Sequence, residues 1–158
     1  MKKIRILFVC HGNICRSPMA EFIMKKLVCD IGRGSDFYIE SRATSTEEIW
    51  NGVGSPIHRD AKRQLSMHSI PFTERSATLL VKGDYEKYDY FIGMDEANIK
   101  NMKRIFGKDP DGKIKKLMDY TENPSDVSDP WYTRNFDLAY NDILRGCKCF
   151  LNFVLLNP

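Results

Sequence analysis

The sequence predicts an α/β fold in which helices cover both faces of an open parallel sheet. Residues 4–9 form an apolar run interrupted only by Arg5, which is typical of a central strand buried on both faces. Strand-like and helix-like segments then alternate to the end of the chain. Because no internal repeat or linker interrupts this alternation, residues 1–158 are predicted to form a single domain.

The first half of the chain supplies two predicted strands and two predicted helices. Apolar side chains recur at helical spacing over residues 19–28, and Pro18 suits the first helical turn because its missing N–H costs nothing there. Ser17 is then predicted to be the N-cap. A second strand, a polar loop and a second helix are predicted at residues 37–40, 42–55 and 56–67.

The second half repeats the alternation. A strand at residues 88–94 leads to Asp95, which is predicted to cap a helix with an apolar face of Ile99, Met102 and Ile105. A weak strand, a long loop rich in Asp, Ser and Pro, and a final helix are predicted at residues 113–117, 119–133 and 136–156. Long loops of this kind often contain functional residues.

Composition argues against several functional classes. The chain has 24 basic and 21 acidic residues, and a net charge of +3 is too small to indicate nucleic-acid binding. No apolar run approaches the length of a membrane span, so no membrane partner is predicted. The five cysteines form no regular disulfide framework, which favours a reducing cytoplasm, and they lack the companion ligands of a zinc site. We therefore predict no metal.

The segment CHGNICRSP, residues 10–18, joins the first strand to the first helix. Backbone N–H groups at such a turn and the dipole of the following helix together favour a bound anion. Gly12 and Asn13 tolerate the tight or left-handed backbone that the turn requires. The segment lacks the lysine of nucleoside triphosphate sites, and Arg16 instead supplies a planar fork suited to a small oxyanion such as phosphate.

Cys10 lies at the base of this predicted anion site. The backbone N–H groups, the helix N-terminus and Arg16 all favour the thiolate, to which Ser17 can donate a hydrogen bond. Attack by that thiolate on a phosphate monoester would give a cysteinyl-phosphate, with Arg16 balancing the charge of the phosphoryl oxygens. The alternative is a buried cysteine beside an unrelated surface arginine, which the C-x5-R-S pattern between strand and helix disfavours.

A cysteinyl-phosphate forms only if a general acid protonates the leaving oxygen. Asp126 and Asp129 are the candidates, and each is alternatively an ordinary turn aspartate. Asp129 is favoured because Pro130 stiffens the chain after it and because two aromatic residues follow, whose apolar surface favours the protonated carboxyl.

Three aromatic residues are predicted to form the walls of the substrate cleft. Trp131 and Tyr132 follow the candidate acid, and Trp50 lies in the polar loop after the second strand. Flat rings in these positions can stack on a flat substrate ring. The alternative is that they only pack their loops onto the sheet.

The segment CHGNICRSP resembles the signature loop of the low-molecular-weight protein tyrosine phosphatases. The resemblance extends over nearly the whole chain and includes Ser41, YDYFIGMDEANI at residues 88–99 and DPWY at residues 129–132. It implies a four-stranded parallel sheet of the phosphotyrosine phosphatase I-like type. It also implies metal-free and cofactor-free hydrolysis through a cysteinyl-phosphate, with Asp129 as the acid that later activates water.

The resemblance also implies roles for residues around Cys10. Asn13 and Ser41 would hold the loop in shape, and Cys10 and Cys15 would form a reversible disulfide that protects against over-oxidation. The implied substrates are phosphotyrosine-containing proteins or small aryl phosphates, with phosphate and other oxyanions as inhibitors. The implied phosphate-binding loop consists of His11, Gly12, Asn13, Ile14, Cys15 and Ser17.

Two positions depart from the usual pattern of the family. Arg42 replaces the small residue that commonly follows the serine, and His11 replaces an aliphatic residue after the nucleophile. Both are expected near the mouth of the pocket, where they would favour acidic substrates or alter the pH dependence. An outward-facing, solvated Arg42 is the simpler interpretation.

Three other functions remain as alternatives. Protein arginine phosphatases have a similar loop, but they carry threonine where this chain has Ile14, whose apolar side chain better suits an aromatic ring. Arsenate reductases linked to thioredoxin need a cysteine pair in mid-chain, and no cysteine lies between Cys29 and Cys147. A non-catalytic phosphate-binding module is disfavoured by the intact set of Cys10, Arg16 and Asp129.

Overall fold

The computed structural model describes residues 2–158. The strands are β1 (Ile4–Cys10), β2 (Phe37–Ala43), β3 (Ile49–Trp50), β4 (Val53–Gly54), β5 (Tyr90–Gly93) and β6 (Ile114–Lys116). The α-helices are α1 (Arg16–Asp30), α2 (Arg59–Met67), α3 (Glu96–Phe106), α4 (Pro130–Thr133) and α5 (Phe136–Leu156). Short 3-10 helices occupy Gly34–Asp36, Lys82–Lys87 and Leu117–Tyr120.

The main sheet is parallel, and its four strands lie in the order β2-β1-β5-β6. This arrangement confirms the predicted fold class, including the central position of β1. Strand β1 pairs with β2 along its whole length, from Ile4 opposite Phe37 to Cys10 opposite Ala43. Cys10 therefore ends a central strand, at the carboxyl edge where open α/β sheets bind their ligands.

The side chains of β1 alternate between two hydrophobic clusters. Ile6 and Phe8 pack on the face that α1 and α5 cover, whereas Leu7 and Val9 pack on the face that α3 covers. All four side chains are fully buried. The strand is thus covered on both faces, as its unbroken apolar run predicts.

Helix α1 begins at Arg16, two residues before the start that an N-cap at Ser17 would give, so the prediction for Ser17 is wrong. The N-cap residue is Cys15, and it makes no side-chain cap hydrogen bond. Ser17 lies inside the first helical turn and is fully buried. Its hydroxyl cannot cap the helix because it contacts Cys10 and Asn13 instead. Pro18 lies in the first turn, as predicted.

Two segments predicted as loops contain short regular elements. Residues 42–55 include the antiparallel hairpin of β3 and β4, and residues 119–133 include α4. Helix α2 begins at Arg59, later than the predicted start at residue 56. The reason is that the Nδ1 atom of His58 accepts the hydrogen bond from the Asp60 N–H and so caps the helix there.

Helix α5 has the bounds predicted from its apolar face. It begins where the side chain of Asn135 accepts a hydrogen bond from the Leu138 N–H at 3.0 Å. The helix packs mainly against α1 and the 3-10 helix Leu117–Tyr120. None of the helices within residues 2–158 combines the length and the apolar character needed to cross a bilayer.

Candidate active site

The turn between β1 and α1 surrounds a cavity of about 120 Å³ at the carboxyl edge of the sheet. Asn13, and not Gly12, takes the left-handed conformation in this turn, with φ of 61°. The backbone thereby curls around the end of β1. The cavity is lined by Cys10, His11, Gly12, Asn13, Ile14, Cys15, Arg16, Glu47, Glu48, Asp129, Trp131 and Tyr132.

Two hydrogen-bond donors face the sulfur of Cys10. The backbone N–H of Asn13 lies 3.3 Å from the Sγ atom, and the Oγ atom of Ser17 lies 3.0 Å from it. Ser17 accepts a hydrogen bond from the Asn13 side-chain amide at 2.8 Å, so its own proton is free to point at the sulfur. The sulfur is therefore held in the hydrogen-bonding environment that a thiolate requires.

The side chain of Asn13 is itself oriented from the opposite side. Its Oδ1 atom accepts hydrogen bonds from the backbone N–H of Thr78, at 3.1 Å, and from the guanidinium of Arg75. Because the oxygen faces these donors, the amide nitrogen must face Ser17. A chain of hydrogen bonds thus runs from Arg75 and Thr78 through Asn13 and Ser17 to Cys10.

Arg16 is buried and points its guanidinium into the cavity wall. Its Nη1 atom donates to Asp95 Oδ2 and to the carbonyl of Val127, both at 2.8 Å, and its Nη2 atom lies 3.5 Å from Asp129 Oδ2. Burial lowers the pKa of the guanidinium, but the nearby sulfur and carboxylates outweigh burial and leave its pKa above the usual value. Arg16 is therefore a fixed positive charge beside Cys10.

The structure separates the two candidate acids. Asp129 lines the cavity, where its Oδ1 atom accepts the Trp131 N–H at 3.0 Å and caps α4. Asp126 is exposed and forms an ion pair with Lys116 at 3.0 Å, and it does not line the cavity. Of the two, only Asp129 lines the cavity that contains Cys10.

Two of the three aromatic residues predicted to form the cleft walls line the cavity. Trp131 and Tyr132 line the cavity with most of their surface exposed, at 61% and 81%. Trp50 lies in the β3–β4 hairpin, is 76% exposed and does not line the cavity. Glu47 and Glu48, immediately before the hairpin, take the place predicted for Trp50.

Ser41 lies beneath the loop, where it is fully buried at the end of β2. Its hydroxyl donates to the carboxylate of Glu21 at 2.5 Å and does not contact Asn13 directly. The link between them is Arg75, which lies 3.7 Å from Glu21, 3.5 Å from the Ser41 carbonyl and 3.2 Å from the Asn13 carbonyl. Lys25 pairs with the second oxygen of Glu21 at 2.8 Å.

The family model for low molecular weight phosphotyrosine protein phosphatase matches residues 5–155 of the chain. The chain belongs to this family. The curated low molecular weight protein-tyrosine-phosphatase PtpA of Staphylococcus saprophyticus is 38% identical over 153 residues, which cover 96% of this chain and 94% of the relative. The chain is accordingly a phosphatase enzyme of the low molecular weight protein tyrosine phosphatase family.

Solved structures show the same fold. YfkJ from Bacillus subtilis superposes with a TM-score of 0.92 at 34% identity, over 98% of this chain and 96% of that one. The Drosophila arginine phosphatase DARP superposes with a TM-score of 0.83 at 28% identity, over 98% of each chain. The phosphatase fold is thus common to proteins that are named for different phosphorylated residues.

Two residues of this phosphatase that contact the loop network were not predicted from the sequence. Glu21 had a signal, since it is a single acidic residue in an otherwise apolar stretch of α1 and it is 3% exposed. Arg75 had none, because it lies in an irregular segment far from the loop in sequence. Only the folded chain brings Arg75 within hydrogen-bond distance of Asn13.

We expect Arg75→Met to lower both the activity and the stability of the phosphatase. The change removes donors from Asn13 and a cation from buried Glu21, so stability should fall by about 1–3 kcal/mol. The loosened loop should reduce kcat/KM about tenfold. Phosphate release and thermal unfolding measure the two effects. Arg104→Met is the matched control, since Arg104 is exposed and, within residues 2–158, its side chain hydrogen-bonds only to Asn101. Lower stability with unchanged kcat/KM would show that Arg75 stabilises the fold but does not contribute to the reaction.

Cys15 lines the cavity beside Cys10, and both are free thiols in the structure. Burial raises the pKa of the Cys15 thiol, and the neighbouring Cys10 and Asp129 raise it further. Cys15 is therefore protonated at neutral pH and is not itself a nucleophile. The Cys10–Cys15 disulfide implied by the family resemblance stays a prediction.

Proposed function

We propose that the phosphatase hydrolyses phosphotyrosine in proteins, and small aryl phosphates, through a cysteinyl-phosphate on Cys10. The observation that carries this proposal is the convergence of three side chains on one cavity. Cys10 lies at its base, Arg16 is buried beside it, and Asp129 lies 3.5 Å from the guanidinium. These are the nucleophile, the charge-stabilising group and the acid that the reaction needs.

In the first step the thiolate of Cys10 attacks phosphorus and forms the S–P bond. The bond from phosphorus to the tyrosine oxygen breaks, and the proton of Asp129 goes to that oxygen, so tyrosine leaves as the neutral phenol. The backbone N–H groups of the loop and the guanidinium of Arg16 balance the charge on the phosphoryl oxygens. Trp131 and Tyr132 offer flat surfaces for the substrate ring.

In the second step the ionised Asp129 takes a proton from water, whose oxygen attacks phosphorus. The S–P bond breaks, Cys10 returns to the thiolate, which Ser17 and the Asn13 N–H stabilise, and inorganic phosphate is released. Inorganic phosphate can present to the loop the same three oxygens that the phosphoryl group of the substrate presents. Phosphate and other oxyanions should therefore inhibit competitively. A reducing cytoplasm would keep Cys10 in the active thiolate form.

The direct test is to trap the intermediate. Wild-type protein is mixed with a phosphotyrosine peptide in the presence of a chelator, quenched in alkali, digested and analysed by mass spectrometry. A phosphoryl group on the peptide that contains Cys10 supports the proposal. Turnover with phosphate on another residue, or a burst-free reaction that stops on chelation, would contradict it. Phosphate binding without turnover would indicate a binding module.

The alternative substrate is phosphoarginine, and the position of Ile14 favours phosphotyrosine over it. Ile14 lines the cavity, where an apolar side chain suits a ring better than a guanidinium. We expect Ile14→Thr to lower kcat/KM for a phosphotyrosine peptide and to raise it for the matched phosphoarginine peptide, shifting the ratio by about tenfold. Phosphate release from both peptides measures this. A wild-type preference for phosphoarginine would refute the argument from Ile14.

A further inference from the structure

Glu48 lies against the phosphate loop. Its backbone carbonyl accepts a hydrogen bond from the Ser55 N–H at 2.7 Å, which closes the base of the β3–β4 hairpin. Its side chain is half-buried and lies across Gly12, where an added Cβ would meet the Glu48 Cγ atom at 3.2 Å. The absence of a side chain at Gly12 therefore lets this carboxylate lie in the cavity wall.

The charge of the cavity changes from its base to its mouth. Arg16 is the cation at the base, and Glu47 and Glu48 are carboxylates contributed by the loop before the hairpin. The Nε2 atom of His11 lies 3.0 Å from Glu47 and partly neutralises it when protonated. Within residues 2–158, no Lys, Arg or His nitrogen lies within 4.0 Å of the Glu48 carboxylate. Glu48 is thus a carboxylate of the mouth that has no ion-pair partner among the described residues.

We propose that Glu48 makes this phosphatase select phosphotyrosine substrates with Lys or Arg next to the phosphotyrosine. The inference rests on the proposed function, because it assumes that the phosphoryl group binds at Cys10. A residue beside the phosphotyrosine must then pass the cavity wall, where a cation pairs with Glu48 and an anion is repelled. The Glu48 side chain is half-buried against Gly12, so its carboxylate lies at the wall that such a residue passes.

This selectivity is opposite to the preference for acidic substrates that Arg42 suggests from the sequence. Arg42 does not line the cavity. Its guanidinium donates to the Ser41 carbonyl at 2.8 Å and lies 3.7 Å from the carboxylate of Glu40. Arg42 is thus engaged along β2, and the charge that a substrate meets is that of Glu48.

The test compares two phosphotyrosine peptides that differ only in having Lys or Glu on both sides of the phosphotyrosine. We expect wild-type kcat/KM to favour the Lys peptide by roughly threefold to fivefold, the size of a partly screened ion pair. The ratio should shrink as ionic strength rises. Glu48→Gln should bring it close to one, and Glu48→Lys should invert it. Glu86→Gln is the matched control and should keep the wild-type ratio. Glu86 is exposed and precedes β5, at the amino ends of the strands, whereas the cavity lies at their carboxyl ends.

An equal ratio in wild type and Glu48→Gln would overturn the inference, as would a wild-type preference for the Glu peptide. Failure of wild type to release phosphate from either peptide would contradict the proposed function itself. Since Glu48→Gln removes the negative charge and Glu48→Lys replaces it with a positive one, a graded change of the ratio across the two variants identifies charge as the cause. Circular dichroism of both variants checks that the fold is retained.

Discussion

Cys10→Ser is expected to abolish turnover of phosphotyrosine, with a loss of about 10³-fold or more in kcat. The serine hydroxyl stays protonated where the thiolate would be charged, so no strong nucleophile faces the phosphorus. The loop amides and Arg16 are unchanged, and the smaller side chain leaves room for an oxyanion. The variant should therefore bind phosphate while failing to hydrolyse its ester. Phosphate release and the rise of Tm with added phosphate measure the two properties.

Cys29→Ser is the matched control for this prediction. Cys29 is an exposed free thiol in α1, so the same atomic change there should leave turnover and phosphate binding unaffected. Retained turnover in Cys10→Ser would show that the thiolate is not the nucleophile. Loss of phosphate binding together with turnover would instead show that Cys10 is needed to shape the loop.

Asp129→Asn should lower kcat for phosphotyrosine by about 10²–10⁴-fold, because an amide cannot protonate the leaving oxygen. Asparagine is preferred to alanine as the replacement, since its oxygen can still accept the Trp131 N–H and cap α4. The loss should be much smaller for an aryl phosphate whose phenol is strongly acidic, because that leaving group departs without a proton. Steady-state kcat for a series of aryl phosphates measures this dependence.

Asp126→Asn is the control for the acid. It weakens an exposed ion pair with Lys116, which contributes little to stability, and it changes no residue of the cavity. Its kcat should match that of wild type for every leaving group. If Asp129→Asn lowered kcat by the same factor for every leaving group, Asp129 would not be the general acid. Its contribution to kcat would then come through Arg16 alone.

The sequence predicted most of the fold because its signals are local. The apolar run of β1 and the periodic apolar face of α5 each reflect burial of one continuous segment, and both elements appear as predicted. Cys10 and Arg16 lie together for the same reason, since seven consecutive residues form the turn that holds them. The alternation of strand and helix then limits the connections to parallel ones.

Residue type alone did not decide the positions of Ser17 and Trp50. Ser17 suits a helix N-cap by residue type, but a chain of hydrogen bonds from Asn13 gives its hydroxyl a different partner. Trp50 has the residue type of a cleft wall, but it lies in the short β3–β4 hairpin and does not line the cavity. Local preference is decisive only where no tertiary contact competes for the same group.

The sequence by itself determined the strand-turn-helix that places a thiol at a helix N-terminus, because these residues are contiguous and their preferences agree. Only the folded chain shows that Asp129 and not Asp126 lines the cavity, that Arg75 supports Asn13, and that Glu48 borders the mouth. These side chains come from segments with no regular pattern. Their positions depend on how α1, the hairpin and the loop before α4 pack around the end of β1, and such contacts between distant segments leave no periodic trace in the sequence.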